Sequence, residues 1–300
     1  MTDFVPCDAL TPTSLRRTNT LGVMNVSAKP SIAFLGTGSM SGAILTGIVQ
    51  QREKFGSLAA TTRSEESAAK IASEAVEAVA LVAEPEANRR LAAEADVVVL
   101  GVKPYQIVEL LREISDVLRP GTIVVSVAAG IATAVMEAEV SADVAVVRVM
   151  PNTPSHVGLG VAGIAAGSGA GQDAVDVTRS IFEVVGTVLV IDESQIDALS
   201  SISGSGPAYV FLFIEQWTRV ALGLGFDKSQ AAAMVQGTFR GASELLAASD
   251  ADPAELRRRV TSPKGTTEQA LAVLQEAELD AVFRRAADAA IARAKELATE

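Results

Sequence analysis

From residue 31 onward, short apolar runs alternate with stretches of helical period. Ser31–Leu35 reads as a buried strand, followed by a tight glycine turn and a helix over about 38–50. Ser57–Thr62 reads as a second strand, Glu65–Ser73 as a helix and Ala75–Leu81 as a weak strand. Pro85–Ala93 is a helix with proline near its first turn. Asp96–Gly101 is a continuous apolar run, as expected of a parallel strand buried on both faces. A helix follows Lys103-Pro104 and runs to about Leu118. Pro120-Gly121 is a turn before the β-branched strand Thr122–Val127. A helix over Thr133–Glu139 and a sixth strand, Val144–Met150, come next. Gly158–Gly167 and Thr187–Ile191 read as two further strands flanking a helix. Alternation at this spacing predicts an α/β Rossmann-type domain over 31–191, a parallel, doubly wound sheet with right-handed crossovers.

Near Asp192 the pattern changes and strands stop. A helix begins at Gln195–Ser201 and is broken by Ser203–Pro207. Ala208–Leu224, Ser229–Ala248, Pro253–Val260, Thr266–Glu276 and Ala281–Thr299 read as helices separated by turn residues. Residues 192–300 are therefore expected to form an all-helical C-terminal domain, with Phe211, Phe213 and Trp217 in its core. Residues 1–30 carry Pro6, Pro12 and Pro30 and lack the apolar centre of a signal peptide, so they read as a flexible extension.

Composition narrows the partners. The chain is 49% hydrophobic but only 4% aromatic, so its core is built from Ala, Val, Leu and Ile. A net charge of −11 argues against a nucleic-acid or anionic-membrane partner. The single cysteine, Cys7, and single histidine, His156, exclude an intrachain disulfide and leave no expected metal site. With no apolar run long enough to span a bilayer, a reducing cytoplasm is the expected location.

Chemistry concentrates where ligands bind in such sheets, at the carboxyl ends of the strands. Those loops are 36–41, 61–64, 101–105, 127–131 and 150–156. In Gly36-Thr37-Gly38-Ser39-Met40-Ser41, Gly36 would permit the sharp turn and Gly38 a close approach to a pyrophosphate. The following helix offers free N–H groups and a positive dipole end. Ser41 takes the third glycine position. The second strand ends in Thr61-Thr62-Arg63-Ser64, with no acidic residue to hold ribose hydroxyls. Arg63, with Ser64 and Thr62, suits a 2′-phosphate, which favours NADP(H) over NAD(H). Lys103 reads either as a cofactor contact or as a solvated loop lysine. His156 reads as a structural loop residue, because no paired carboxylate can be named for it. Two Ser/Gly-rich stretches, 203–209 and 260–267, read as helix starts able to seat a carboxylate. Arg257-Arg258-Arg259 reads as a solvated face.

Taken together, the pieces IAFLGTGSM at 32–40, GVKP at 101–104, AAGI at 128–131, MPNTP at 150–154, SGSGPAY at 203–209 and VTSPKGTT at 260–267 are similar to the pyrroline-5-carboxylate reductases. The likeness runs from residue 31 across the rest of the chain. It implies NADPH-dependent reduction of 1-pyrroline-5-carboxylate to L-proline, the last step of proline synthesis, with NADH a weaker donor. It implies that Gly36, Gly38, Ser39 and Met40 hold the pyrophosphate, and that Arg63 and Ser64 hold the 2′-phosphate. Val102, Lys103, Pro104, Ala129, Gly130, Asn152 and Thr153 would complete the cofactor site. The substrate carboxylate would sit on Ser262, Gly265 and Thr266, with Ser205 and Gly206 bordering the pocket. Thr267 would be the catalytic residue, hydrogen-bonded to the ring nitrogen. The helical domain would dimerise, giving a homodimer or a ring of dimers. Ser41 and Lys264 stand where that family often has Ala and Gly. Two other readings compete. One is another two-domain NADP reductase, a β-hydroxyacid dehydrogenase or an imine reductase; the former would want a catalytic lysine on a helix of the second domain, a setting neither Lys228 nor Lys264 has. A non-catalytic NADPH sensor would have no use for the 260–267 loop.

Overall fold

The computed structural model describes residues 29–297. The leading stretch, with Cys7, lies outside the described residues apart from 29 and 30. Eight strands form one sheet: β1 (Ile32–Leu35), β2 (Leu58–Thr62), β3 (Glu77–Ala80), β4 (Val97–Leu100), β5 (Ile123–Ser126), β6 (Ala145–Met150), β7 (Gly160–Ala166) and β8 (Gly186–Val190). Their order is β3-β2-β1-β4-β5-β6-β7-β8, and β1 to β6 pair in parallel. The first six strands thus take the doubly wound dinucleotide-binding order.

The parallel order expected for the first strands holds over β1–β6, whereas β7 runs antiparallel to β6. The cause is the connection. β6 and β7 are joined by the short turn Thr153–Val157 and Gly158, too short for the crossover a parallel neighbour requires. A full crossover helix returns between β7 and β8, and that pair is parallel again.

Helices α1 (Ser39–Gln50), α2 (Glu65–Ile71), α3 (Ala87–Glu94), α4 (Ile107–Ile114), α5 (Thr133–Glu137) and α6 (Gln172–Phe182) flank the sheet. Ile32 and Phe34 of β1 enter one apolar layer with α1 and α6, while Ala33 and Leu35 enter the other with α3, α4 and α5. Both faces of β1 and β4 are covered, which is why their sequences are unbroken apolar runs. Each fully buried Val, Leu or Ile there contributes about 1.5–3 kcal/mol.

The rest of the chain is helical: α7 (Ile196–Leu199), a π turn over Ser200–Gly204, α8 (Gly206–Gly223), α9 (Lys228–Ala247), α10 (Pro253–Arg259), α11 (Thr266–Gln275) and α12 (Leu279–Leu297). Aspartates start two of them. Asp227 accepts from the N–H of Gln230 at 2.9 Å, and Asp252 from that of Glu255 at 2.8 Å. The expected break at Ser203–Pro207 does not separate two helices. The chain winds through the π turn into α8, with the Ser205 N–H donating to the Ser200 carbonyl at 2.8 Å. Pro207 lies in the first turn of α8, where its missing N–H costs nothing.

Phe211, Phe213 and Trp217 are not core residues of this chain. They are 66%, 41% and 53% exposed. The cause is the lack of an opposing layer among the described residues: the buried apolar cluster of α8 and α9 is Ala221, Ala231 and Val235, with Ile214 and Phe239 against it. Leu199 of α7 packs over Gly163 of β7, and polar contacts add to the tie between this half and the sheet. Buried Arg148 of β6 reaches Glu193 and Asp197, each at 3.4 Å. Glu193 also accepts from both the N–H and the hydroxyl of Thr133 at 2.7 Å, so one carboxylate joins β6, α5 and the approach to α7.

Candidate active site

The turn after β1 is held in place from β2. The Gly36 N–H donates to the Thr61 hydroxyl at 2.9 Å, and the Thr37 N–H to the Thr61 carbonyl at 2.7 Å. The Thr61 hydroxyl donates onward to Asn88 Oδ1 at 2.8 Å, and Asn88 Nδ2 reaches Glu113 at 3.4 Å. Burial raises the Glu113 carboxyl above its ordinary range, opposed by the hydrogen bond from Asn88. Gly36 has φ +72°, and a Cβ there would collide with the Val102 side chain at the end of β4. Both conditions demand glycine.

Gly38 caps α1 with extended backbone and no side-chain cap, so the first N–H groups of the helix are left for another acceptor. A Cβ built on Gly38 would meet no protein atom within 4 Å. That open space beside an uncapped helix start is a cradle for a phosphate. The close helix–strand contact expected of a third motif glycine is made from the other side. Ser41 is buried, and Gly101 opposite it has no room for a side chain because the Ser41 hydroxyl occupies the space.

Arg63 is exposed at the end of β2, and among the described residues its guanidinium has no acidic partner. Ser64 is engaged differently from its neighbour. It is the N-cap of α2, accepting from the Ser67 N–H at 3.3 Å and donating to the Ser67 hydroxyl at 3.1 Å. Lys103 is exposed and leads into a short turn at Pro104. Gly130 adopts φ +79° beside exposed Ala129, after β5. Asn152, buried after β6, donates to the Ser203 carbonyl at 2.9 Å and accepts from the Val161 N–H at 2.8 Å. Its amide therefore fixes the π turn against the sheet. Gly204 supports the same contact, with Met150 Cε 3.3 Å from where its Cβ would be. Exposed Thr153 begins the next turn, and His156 at the end of that turn lies 3.2 Å from the Ser39 hydroxyl. Met40, partly buried, packs onto the sheet layer below.

The second serine/glycine stretch stands apart. Gly265 caps α11 without a side-chain bond, and its own N–H closes a turn onto the Ser262 carbonyl at 2.9 Å. Lys264 is held at φ +60°, with its N–H donating to Glu268 at 2.7 Å. Among the described residues, the N–H groups of Thr266 and Thr267 have no acceptor. Among the described residues the hydrogen bonds of this loop and α11 stay within 252–282, whereas the first stretch is tied through Ser203 to Asn152 after β6. The 203–207 stretch also lacks the free helix start expected of it, because the π turn satisfies the Ser205 N–H. As expected, Arg258 and Arg259 are exposed and pair only with Glu255.

Thr61, Asn88 and Glu113 carry a role that the sequence reading did not assign. A polar Asn88 among the inward residues Ala87, Leu91 and Ala92 of α3 is the signal that could have found them.

Comparison with known proteins agrees with this geometry. The family model described as pyrroline-5-carboxylate reductase dimerisation matches residues 193–297, and that described as NADP oxidoreductase coenzyme F420-dependent matches 31–130. A pyrroline-5-carboxylate reductase of Pseudomonas aeruginosa is 38% identical over 273 residues, covering 90% of this chain and 98% of that protein. The solved pyrroline-5-carboxylate reductase of Coxiella burnetii superposes with a TM-score of 0.82 at 35% identity, covering 91% of this chain and 99% of that one. The Plasmodium falciparum pyrroline carboxylate reductase, solved with NADP bound, gives 0.75 at 26% identity, covering 92% and 100%. On these grounds the chain belongs to the pyrroline-5-carboxylate reductase family.

Proposed function

We propose that this chain reduces 1-pyrroline-5-carboxylate to L-proline, the closing step of proline biosynthesis, with NADPH as reductant. The observation that carries the reading is the pairing of two uncapped helix starts. One, at Gly38, opens on empty space; the other, at Gly265, leads into two threonines.

The residues present fit NADPH. Gly36, Gly38, Ser39 and Met40 form the pyrophosphate cradle. Arg63 meets the 2′-phosphate, with Ser64 shaping the loop through its cap on α2. Val102, Lys103, Pro104, Ala129, Gly130 and Thr153 line the strand ends along which the cofactor extends, and Asn152 sets the wall at its nicotinamide end. Bound there, the dihydronicotinamide supplies a hydride. Ser262 and Thr266 offer N–H groups to the substrate carboxylate, with Gly265 shaping the seat. The Thr267 hydroxyl bonds the ring nitrogen and fixes the C=N carbon for attack. Ser205 and Gly206 close the pocket beside the nicotinamide. A protonated cyclic imine is already electrophilic, so positioning is the main demand on the protein.

Among the described residues the 262–267 loop bonds only within its own half, which supports its meeting the cofactor site of a second copy. The exposed apolar faces of α8 and α12, with Phe211, Phe213, Trp217 and Phe283, supply the contact surface. The active unit is a homodimer, alone or within a ring of dimers, working in the cytoplasm. Among the described residues no helix is long and apolar enough to cross a membrane.

The test is NADPH oxidation by the purified protein, followed by loss of nicotinamide absorbance. Oxidation is expected with 1-pyrroline-5-carboxylate, together with formation of proline. Turnover of 3-hydroxyacids with NADP, and none of the imine, would overturn the reading.

A further inference from the structure

Pro207 has no N–H to give the Ser203 carbonyl, its acceptor in an unbroken α-helix. Asn152 Nδ2 supplies one instead at 2.9 Å, which is why the proline is tolerated there. The π turn Ser200–Gly204 diverts a second donor. The Ser205 N–H, which an α-helix would give to Ser201, goes to the Ser200 carbonyl at 2.8 Å. Here the replacement is the hydroxyl of Tyr209, which donates to the Ser201 carbonyl at 3.1 Å. Asn152 is itself oriented by β7, whose Val161 N–H donates to its Oδ1 at 2.8 Å. The turn is thus held from the sheet on one side and from α8 on the other.

We propose that Tyr209 is a positioning residue for hydride transfer, acting through the π turn. The inference rests on the reading that Ser205 and Gly206 close the pocket beside the nicotinamide. Both residues follow the turn directly, so its width sets where they stand relative to Asn152 at the strand ends. Without the phenol, the Ser201 carbonyl loses a donor, and the Ser205 N–H is the one an α-helix would return to it. Taking it back tightens the turn and shifts Ser205 and Gly206. Hydride transfer needs donor and acceptor carbons at near-attack distance, where a misplacement of about 1 Å can cost on the order of a hundredfold. NADPH lies along the glycine turn and the strand ends, so its affinity does not follow the π turn.

The turn has little other freedom. Ser201 is buried, and α7, α8 and α12 pack against the segment. A Cβ on Gly204 would stand 3.0 Å from the Ser200 hydroxyl and 3.3 Å from Met150 Cε. What can change is the choice of backbone donor for each carbonyl, and Tyr209 fixes that choice at Ser201.

The test is single-turnover reduction of 1-pyrroline-5-carboxylate by NADPH bound to the full chain, set beside NADPH affinity and Tm. NADPH deuterated at the transferred position identifies the hydride step by its isotope effect. Tyr209→Phe keeps the ring and removes only the hydroxyl. Its hydride-transfer rate is expected to fall roughly three- to tenfold, with NADPH affinity within about twofold of wild type. An unchanged rate overturns the proposal even if Tm falls, because the hydroxyl would then serve stability alone. A loss of NADPH affinity as large as the loss of rate overturns it too, since the effect would lie in the cofactor site. Should Tyr209→Phe not fold, Pro207→Ala answers. It returns an N–H that competes with Asn152 for the Ser203 carbonyl, and it is expected to slow the same step without lowering Tm. An unchanged rate in that variant overturns the proposal. A wild-type protein that binds NADPH but never reduces the imine would instead overturn the functional reading itself.

Discussion

The Gly36 N–H and the Thr61 hydroxyl meet across 2.9 Å, so the turn that receives the cofactor is fastened to the neighbouring strand through a side chain. That hydroxyl also donates to Asn88, so one oxygen serves as both acceptor and donor in a buried setting. Thr61→Val keeps the shape and removes both bonds. Leaving a buried N–H and amide oxygen unsatisfied costs about 1–3 kcal/mol. The variant is expected to melt at lower temperature and to bind NADPH several-fold more weakly, measured by thermal unfolding and fluorescence titration. Unchanged affinity would mean that the turn holds its shape without Thr61.

Glu113 sits behind Asn88, and burial raises its carboxyl above the ordinary range. A carboxyl raised in the folded state binds protons more readily there than when unfolded. Stability is therefore fully present at low pH and declines as pH rises through the raised value. At neutral pH the charge is a cost. Glu113→Gln should raise Tm by roughly 1–2 °C at about pH 7, and by nothing below about pH 4. Melting curves across pH decide this, and a loss of Tm at neutral pH would show the charge to be favourable.

Among the described residues, Arg63 at the end of β2 has no carboxylate partner. Arg63→Ala is expected to weaken NADPH by roughly tenfold or more while changing NADH little, since only the former carries a 2′-phosphate. Titration with both nucleotides checks it. Equal losses would remove the 2′-phosphate role.

Thr267 lies in the first turn of α11, and among the described residues its N–H has no acceptor. Thr267→Ala should lower kcat/KM for the imine by roughly ten- to a hundredfold, with NADPH affinity unchanged. Steady-state kinetics paired with a nucleotide titration separate the two. An unchanged rate would take Thr267 out of the mechanism.

Much of this fold could be read from the residues, because β1, β4 and β5 are apolar runs that only two-sided burial explains. The direction of β7 was not legible: no periodicity distinguishes a parallel from an antiparallel neighbour, and only the length of its connection does. Phe211 and Trp217 misled for a related reason. An apolar helix face records that something covers it, not that the same chain does. The glycine turn and Arg63 were visible as motif and charge. The Ser39–His156 pair was not, because the topology alone brings 39 and 156 together.

Lys264 shows the same limit at the level of one torsion. The lysine itself gave no sign of φ +60°, although the family it resembles often has glycine there; the conformation costs a non-glycine residue roughly 1–2 kcal/mol. Lys264→Gly is expected to stabilise the protein by about 0.5–1 kcal/mol, after the extra freedom glycine gives the unfolded chain. Denaturant unfolding reads this, and destabilisation would show that the lysine side chain has a stabilising contact.

The three-residue apolar cluster of the helical half has a consequence for how the protein comes into being. A bundle that small has almost no free energy of its own to hold α8 to α12 in register. In the proposed dimer a second copy would complete its folding, and dilution would act on it as a denaturant does. Assembly would then be part of folding.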